Sequence, residues 1–293
     1  MKKLSAPAAV LLLCACLSAC SNTDTADPAA PKQAAAAGGA AGAATPDRQL
    51  IQQMMAAVFE AAYRPASGDA LVNQAAPGQS KRMADYVVTA LDQHLLADGS
   101  TALVTNAAEL DAGGKASTNQ QSRGLLSVFI LKQEDNQWSV VTRHENVAAL
   151  GGAGRVGDVS WPEVARDKPG LAIVSSTTVQ GNIVNRLSLF DPAAANFHDM
   201  TDQLPIHADN KNVCDPRTGD CWNLSADWQL IPAQHASQYA EIQLNLSGTL
   251  TRAAASAGTG PRVEKPLEGS ARYVYDGEKY KLADGQNLVQ DIL

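Results

Sequence analysis

Apolar positions fall along this chain in three rhythms. Residues 4–17 are an apolar run of 14, residues 21–46 carry almost no large apolar side chain, and from residue 47 onward apolar and polar positions alternate. The clearest helical period opens the third section. Leu50, Ile51, Met54, Met55, Val58, Phe59 and Ala62 fall on one face of a 3.6-residue repeat. Thr45 suits a cap, Pro46 the first turn and Arg64-Pro65 a stop, so a helix over 47–64 is predicted, its methionines and Phe59 forming a packed face.

Beyond the helix the period shortens to two. Tyr86-Val87-Val88-Thr89-Ala90-Leu91 fits a strand better than a helix face with His94 and Leu95, and a turn at residues 97–100 precedes the apolar Ala102-Leu103-Val104. A polar loop follows over 111–122. Residues 125–131 predict a buried strand that turns at 134–137 and returns through Trp138-Ser139-Val140-Val141-Thr142. After a glycine-rich stretch, residues 159–165 are extended. Lys168-Pro169-Gly170-Leu171 matches a type II turn. Residues 171–179 and 183–190 form a pair around Gln180-Gly181-Asn182, Asp191-Pro192 breaks it, and 197–200 resumes.

Residues 203–227 are rich in loop formers. Ile242, Leu244, Leu246, Gly248 and Leu250 then alternate with polar neighbours, as in a strand with one wet face. Asp276-Gly277, between Tyr273-Val274-Tyr275 and Lys279-Tyr280-Lys281-Leu282, predicts a hairpin with a type I′ turn. The fold class that follows is α+β, mainly antiparallel β with one N-terminal helix: a sandwich, a barrel or a propeller-like meander over 47–293.

The chain carries 23 basic and 30 acidic residues, net −7. A negative chain without a basic stripe argues against nucleic acid and against electrostatic binding to anionic lipid.

The first section brings an address. Lys2 and Lys3, an apolar core too short to span a bilayer, and the small residues of Leu17-Ser18-Ala19-Cys20 read as a cleaved export signal. The pattern resembles the lipobox of bacterial lipoproteins. That resemblance implies removal of residues 1–19, lipidation of Cys20 as the mature first residue, and attachment by several acyl chains at about 0.8 kcal/mol per buried methylene. In that family Ser21 after the cysteine goes with outer-membrane sorting, which implies a lipid-anchored, periplasm-facing protein. Removing Lys2 and Lys3 shifts the net charge to −9. Residues 20–46 then read as a disordered Ala/Gly-rich tether. In an exported chain Cys214 and Cys221 are expected as a disulfide.

Motifs for chemistry are sparse. Gly152-Ala153-Gly154-Arg155-Val156-Gly157 spells a dinucleotide fingerprint, but the extended Asp158-Val159-Ser160-Trp161-Pro162 follows where a helix is required, so it reads as a connector. The section holding His198, Asp199, Asp202, His207, Asp209, Asp215, Asp220 and Asp227 offers imidazole and carboxylate for a metal, with His198, His207 and Asp209 as candidate ligands. It contains no Asp-x-Asp-x-Asp-Gly run and no His pair at i, i+4. No Gly-x-Ser-x-Gly or Ser-x-x-Lys motif is present, and no cofactor is implied. Trp222 and Trp228 beside the cystine pair suit either a binding surface or packing.

These readings point to a non-enzymatic envelope lipoprotein that binds, inhibits or assists another envelope protein. The competing reading is a periplasmic hydrolase, metal-dependent through the His198–Asp220 section, acting on envelope material.

Overall fold

The computed structural model describes residues 47–76, 79–215, 219–234, 237–252 and 264–293. The predicted lipobox and tether, Thr45 and Pro46 lie outside them.

Helix α1 (Arg48–Phe59) is capped by Asp47, whose carboxylate accepts the backbone N–H groups of Gln49 and Leu50. It is shorter than the 47–64 expectation. Glu60 takes a positive φ of 46°, a single 3-10 turn (Glu60–Ala62) follows, and the next residues leave to pair as strand β1 (Tyr63–Arg64). Pairing of Arg64 with Asp69, sealed by a 2.7 Å ion pair, draws the chain out of the helix.

Strands β2 (Asp69–Ala76), β3 (Gln79–Leu95), β4 (Thr101–Glu109), β5 (Gly124–Glu134) and β6 (Gln137–Leu150) join β1 in a six-stranded antiparallel meander, in chain order. Asp135 and Asn136 both have positive φ in the β5–β6 turn, as a two-residue type I′ hairpin requires. Helix α1 touches β1, β2, β3 and β6, and a reciprocal amide pair joins Gln74 of β2 to Asn146 of β6, so the sheet curves around the helix. Met54, Met55, Val58, Tyr86, Leu103, Leu125 and Phe129 form the core beneath it.

A second antiparallel meander contains β7 (Asp158–Ser160), β10 (Leu171–Val179), β11 (Asn182–Phe190), β12 (Leu204–Asp209), β13 (Cys221–Ile231), β14 (Glu241–Thr251), β15 (Glu264–Tyr275) and β16 (Tyr280–Gly285). A small hairpin of β8 (Glu163–Ala165) and β9 (Lys168–Pro169) interrupts it, and the short helix α2 (Leu288–Asp291) ends the chain. Both large sheets are open, and the sandwich-like part lies where they meet. Ala102, Val104, Leu126, Val128 and Ile130 of β4 and β5 pack against Leu171, Ile173 and Phe190 of β10 and β11. Strands β4 and β5 are therefore buried on both faces, which is why they read as continuous apolar runs.

The glycine-rich stretch is the crossover between the sheets, followed by strand β7 and not by a helix. It is held by buried Asn106, whose side chain donates to Gly154 O at 2.9 Å and accepts from Val156 N at 3.0 Å. The backbone lies so close to β5 that a Cβ on Gly124 would collide with Asn106 and with Arg155 and Val156 backbone.

Four expectations are corrected. The section 203–227 holds β12 and the first part of β13, because only alternate, often small positions (Leu204, Ile206, Ala208, Leu224, Ala226) are buried there. Residues 197–200 are a loop. The turn near Lys168 sits at Arg166-Asp167, where Asp167 has φ 56°; Gly170 is required instead by Val164, whose side chain a Cβ would strike. The loop at Asp276 has four residues, with Tyr275 paired to Tyr280, because the Asp276 carboxylate accepts the N–H groups of Glu278 and Lys279 at 2.9 Å each.

Candidate functional site

One concavity among the described residues is a half-open cleft of about 520 Å³. One side is built from the six-stranded sheet: Leu96 and Asp98 from the β3–β4 turn, Ile130 from β5, and Val141, Thr142 and His144 from β6. The other side comes from the β8–β9 hairpin (Asp167, Lys168, Pro169) and from residues 192–195 between β11 and β12. Strand β6 is the outer strand of its sheet. It carries an extra residue, Val141, between the pairs Leu131–Val140 and Ile130–Thr142, and this bulge leaves Val141 55% exposed in the cleft.

At the base of the second wall lies a charged knot. Asp191 is 2% exposed. Its Oδ2 accepts the Lys168 Nζ at 2.5 Å and the Tyr239 hydroxyl at 2.5 Å, while Oδ1 accepts Ala193 N at 2.9 Å. The Lys168 ammonium also sits 5.1 Å above the Tyr239 ring. Burial first, then the hydrogen bond to Asp191, pushes the Tyr239 phenol far above its ordinary value, so it stays a donor. The knot thus fixes a carboxylate, an ammonium and a phenol in one place.

Behind the same wall is a smaller hollow of about 210 Å³, lined by Asp191, His198, Met200, Tyr239, Tyr275 and Glu278 among others. Tyr239 meets Tyr275 edge-on at 4.8 Å, and Tyr275 meets Tyr280 at 5.6 Å. Phe197 is stacked between Phe190 (5.2 Å) and His144 (4.5 Å), which binds the wall to the six-stranded sheet. Burial lowers the His144 pKa.

The candidate metal ligands point to different tasks. His198 places Nδ1 2.9 Å from Asn196 O and Nε2 2.7 Å from Glu278 O, and its pKa is raised, chiefly by the bond to Glu278. His207, on β12, contacts Ser225 Oγ through Nδ1 at 2.8 Å. Asp209 accepts Lys211 N and the Asn223 side chain. Among the described residues no group of three or more His, Cys, Asp or Glu is arranged to hold a metal ion. Asp199 ties its loop to β11, accepting from Ser188 and Leu189 of that strand and from Thr201 and Gln203 of the loop.

Cys214 and Cys221 form a disulfide, with Cα atoms 5.5 Å apart, joining the β12–β13 loop to the first residue of β13. Trp222 and Trp228 are half-buried against the core of the second sheet. Trp161 donates to Asp92 at 3.0 Å and stacks on His94 at 4.5 Å.

Asp191, Lys168, Tyr239 and His144 have no motif in the sequence. Asp191-Pro192 reads as a strand breaker and Lys168 as part of a turn, and only the fold brings them together around one wall, Lys168 and His144 on its cleft side and Asp191 and Tyr239 on the side of the small hollow. In comparison with known proteins, no family model, no curated protein and no solved structure matches the chain.

Proposed function

We propose that the protein is a lipid-anchored, periplasm-facing binding protein that takes an apolar segment of another envelope protein in the cleft between its two sheets. The observation that carries the binding reading is the cleft itself. Its surface is mostly apolar (Leu96, Ile130, Val141, Pro169, Pro192 and four alanines), it is open to solvent, and it runs beside an outer strand. Contiguous exposed apolar surface rimmed by polar groups suits a partner. An outer strand suits an extended one. The anchor rests on Leu17-Ser18-Ala19-Cys20 and the basic start of the chain.

Capture from envelope extract with full-length protein and with Val141→Arg tests the binding reading. A partner retained by the first and lost by the second is the expected result; a partner held equally by both would remove the cleft from the interaction. Cys20→Ala tests the anchor and should release the protein from membranes. Persistence in the membrane fraction would refute lipidation at Cys20.

The second reading, a hydrolase, has one observation in its favour: the Ser225 Oγ–His207 Nδ1 contact of 2.8 Å between β12 and β13. Neither His207 nor Ser225 lines either concavity described above, and both Asp209 oxygens have other partners. Covalent labelling of Ser225 by a fluorophosphonate, abolished by His207→Ala, is the result that would favour it.

A further inference from the structure

The cleft wall at residues 192–195 is held between two anchors of different chemistry. At its start is the Asp191 knot. At its end Phe197 lies between Phe190 and His144, and His198 spans two carbonyl oxygens, those of Asn196 and, on the β15–β16 turn, Glu278. Carbonyl oxygens only accept, so each contact needs an N–H on the ring. Neutral imidazole carries one N–H and imidazolium carries two. The bridge from wall to hairpin is therefore complete only while His198 is charged.

The surroundings agree with that requirement. The Glu278 carbonyl first, then the Asn196 carbonyl and the Asp199 and Glu278 charges, raise the His198 pKa against the opposing effect of burial. Asp191 is committed to Lys168 and Tyr239, while burial foremost holds the Tyr239 and Tyr275 phenols protonated well past neutrality. A second tie between loop and hairpin is the ion pair of Lys279 with Asp202 at 3.4 Å. On the opposite side of Phe197, burial lowers the His144 pKa and so favours its neutral form.

We propose that residues 192–198 form a pH-gated wall of the cleft, closed while His198 is an imidazolium and His144 is neutral, and loosened when either changes charge. The inference rests on the reading of the cleft as the binding site. Losing the His198 proton gives up one of the two hydrogen bonds at the far anchor. Charging His144 places an ion in a half-buried stack. The two histidines depart from the ordinary value in opposite directions, so the closed state occupies the interval between them.

The full-length protein, without any partner, is followed between about pH 5 and pH 8 by histidine NMR and by hydrogen exchange of the amides of residues 193–198. His198 should titrate above and His144 below the ordinary value of about 6.5. Amide protection, corrected for intrinsic exchange, should fall about tenfold as His198 loses its proton, the effect of one charge-assisted hydrogen bond. His198→Phe should abolish that alkaline loss and keep the acid one. A His198 titration at or below the ordinary value, or an alkaline loss that survives in His198→Phe, would overturn the gate. So would an equal loss at the buried amides of β4 and β5, which would mean global opening. No partner is present, so this outcome is independent of the capture experiment with Val141→Arg.

Discussion

Lys168 Nζ lies 2.5 Å from Asp191 Oδ2, and the two side chains are unequally wet: the lysine is 36% exposed, the aspartate 1%. The pair is therefore asymmetric. Without Asp191 the ammonium can turn to water, but without Lys168 the carboxylate stays buried with Tyr239 and Ala193 as its donors among the described residues. Lys168→Met should cost about 3 kcal/mol, the range for leaving a buried charge unpaired. An uncompensated buried carboxylate has a raised folded pKa, so the loss should shrink as pH falls and the neutral acid forms. In an Asp191→Asn background the same lysine change should cost under about 1 kcal/mol, because no charge is left behind. Urea unfolding of the unsubstituted protein and the three variants measures the cycle; equal costs in both backgrounds would show that the pair is not coupled.

The crossover between the sheets depends on Asn106 and Gly124. Asn106→Ala removes two hydrogen bonds and leaves Gly154 O and Val156 N without their partner, so a loss of about 2–4 kcal/mol is expected. Gly124→Ala drives a methyl into Asn106 and the backbone of residues 155–156. It should cost about 3 kcal/mol, the upper end of overpacking. By contrast Gly113→Ala, where the nearest atom is the Asp111 carboxylate at 3.2 Å and φ is not left-handed, should change stability by less than about 0.5 kcal/mol. Thermal or urea denaturation of the three variants ranks them.

Much of this architecture was legible because its signals are local. The 3.6-residue stripe of α1, the apolar run of β5 and the Asp135-Asn136 and Gln180-Gly181 turns each lie within a dozen residues. What escaped was set by distance along the chain. Strands β12 and β13 bury small residues at alternate positions, so Ala208 and Ala226 look like loop until Leu246 and Ala271 lie beside them. The Asp276-Gly277 pair suggested a two-residue turn, but the carboxylate's bonds to two amides selected a four-residue loop. The candidate site was the least legible part. Lys168, Asp191 and Tyr239 are ordinary residues in sequence and form a site only after three connections converge.

Reducing the Cys214–Cys221 bridge should lower stability by about 2.5 kcal/mol, the chain-entropy value for so short a loop. Asn210 also organises this loop: its side chain donates to Asp220 O and accepts from Trp222 N. The double variant Cys214→Ser, Cys221→Ser should therefore keep the native β12–β13 pairing while unfolding at lower urea concentration. Native-like far-ultraviolet circular dichroism with a shifted midpoint is the expected result. Loss of structure in the absence of denaturant would give the bridge a larger role than loop closure.

Stability should peak near neutral pH, because the histidines pull in opposite directions. Burial lowers the pKa values of His94, His144 and His207, in the last case against the attraction of Asp209. A histidine depressed in the folded state contributes stability that is complete above its unfolded value of about 6.5 and is lost as pH falls toward the folded value. His198 is raised, so its contribution is complete below about 6.5 and is lost as pH climbs through the folded value. Unfolding free energy measured by urea titration at a series of pH values should fall on both sides of neutrality. His94→Phe keeps a ring against Trp161 and removes one titrating group, so it should flatten the acid side alone; an unchanged acid slope would mean that His94 titrates alike in the folded and unfolded chains.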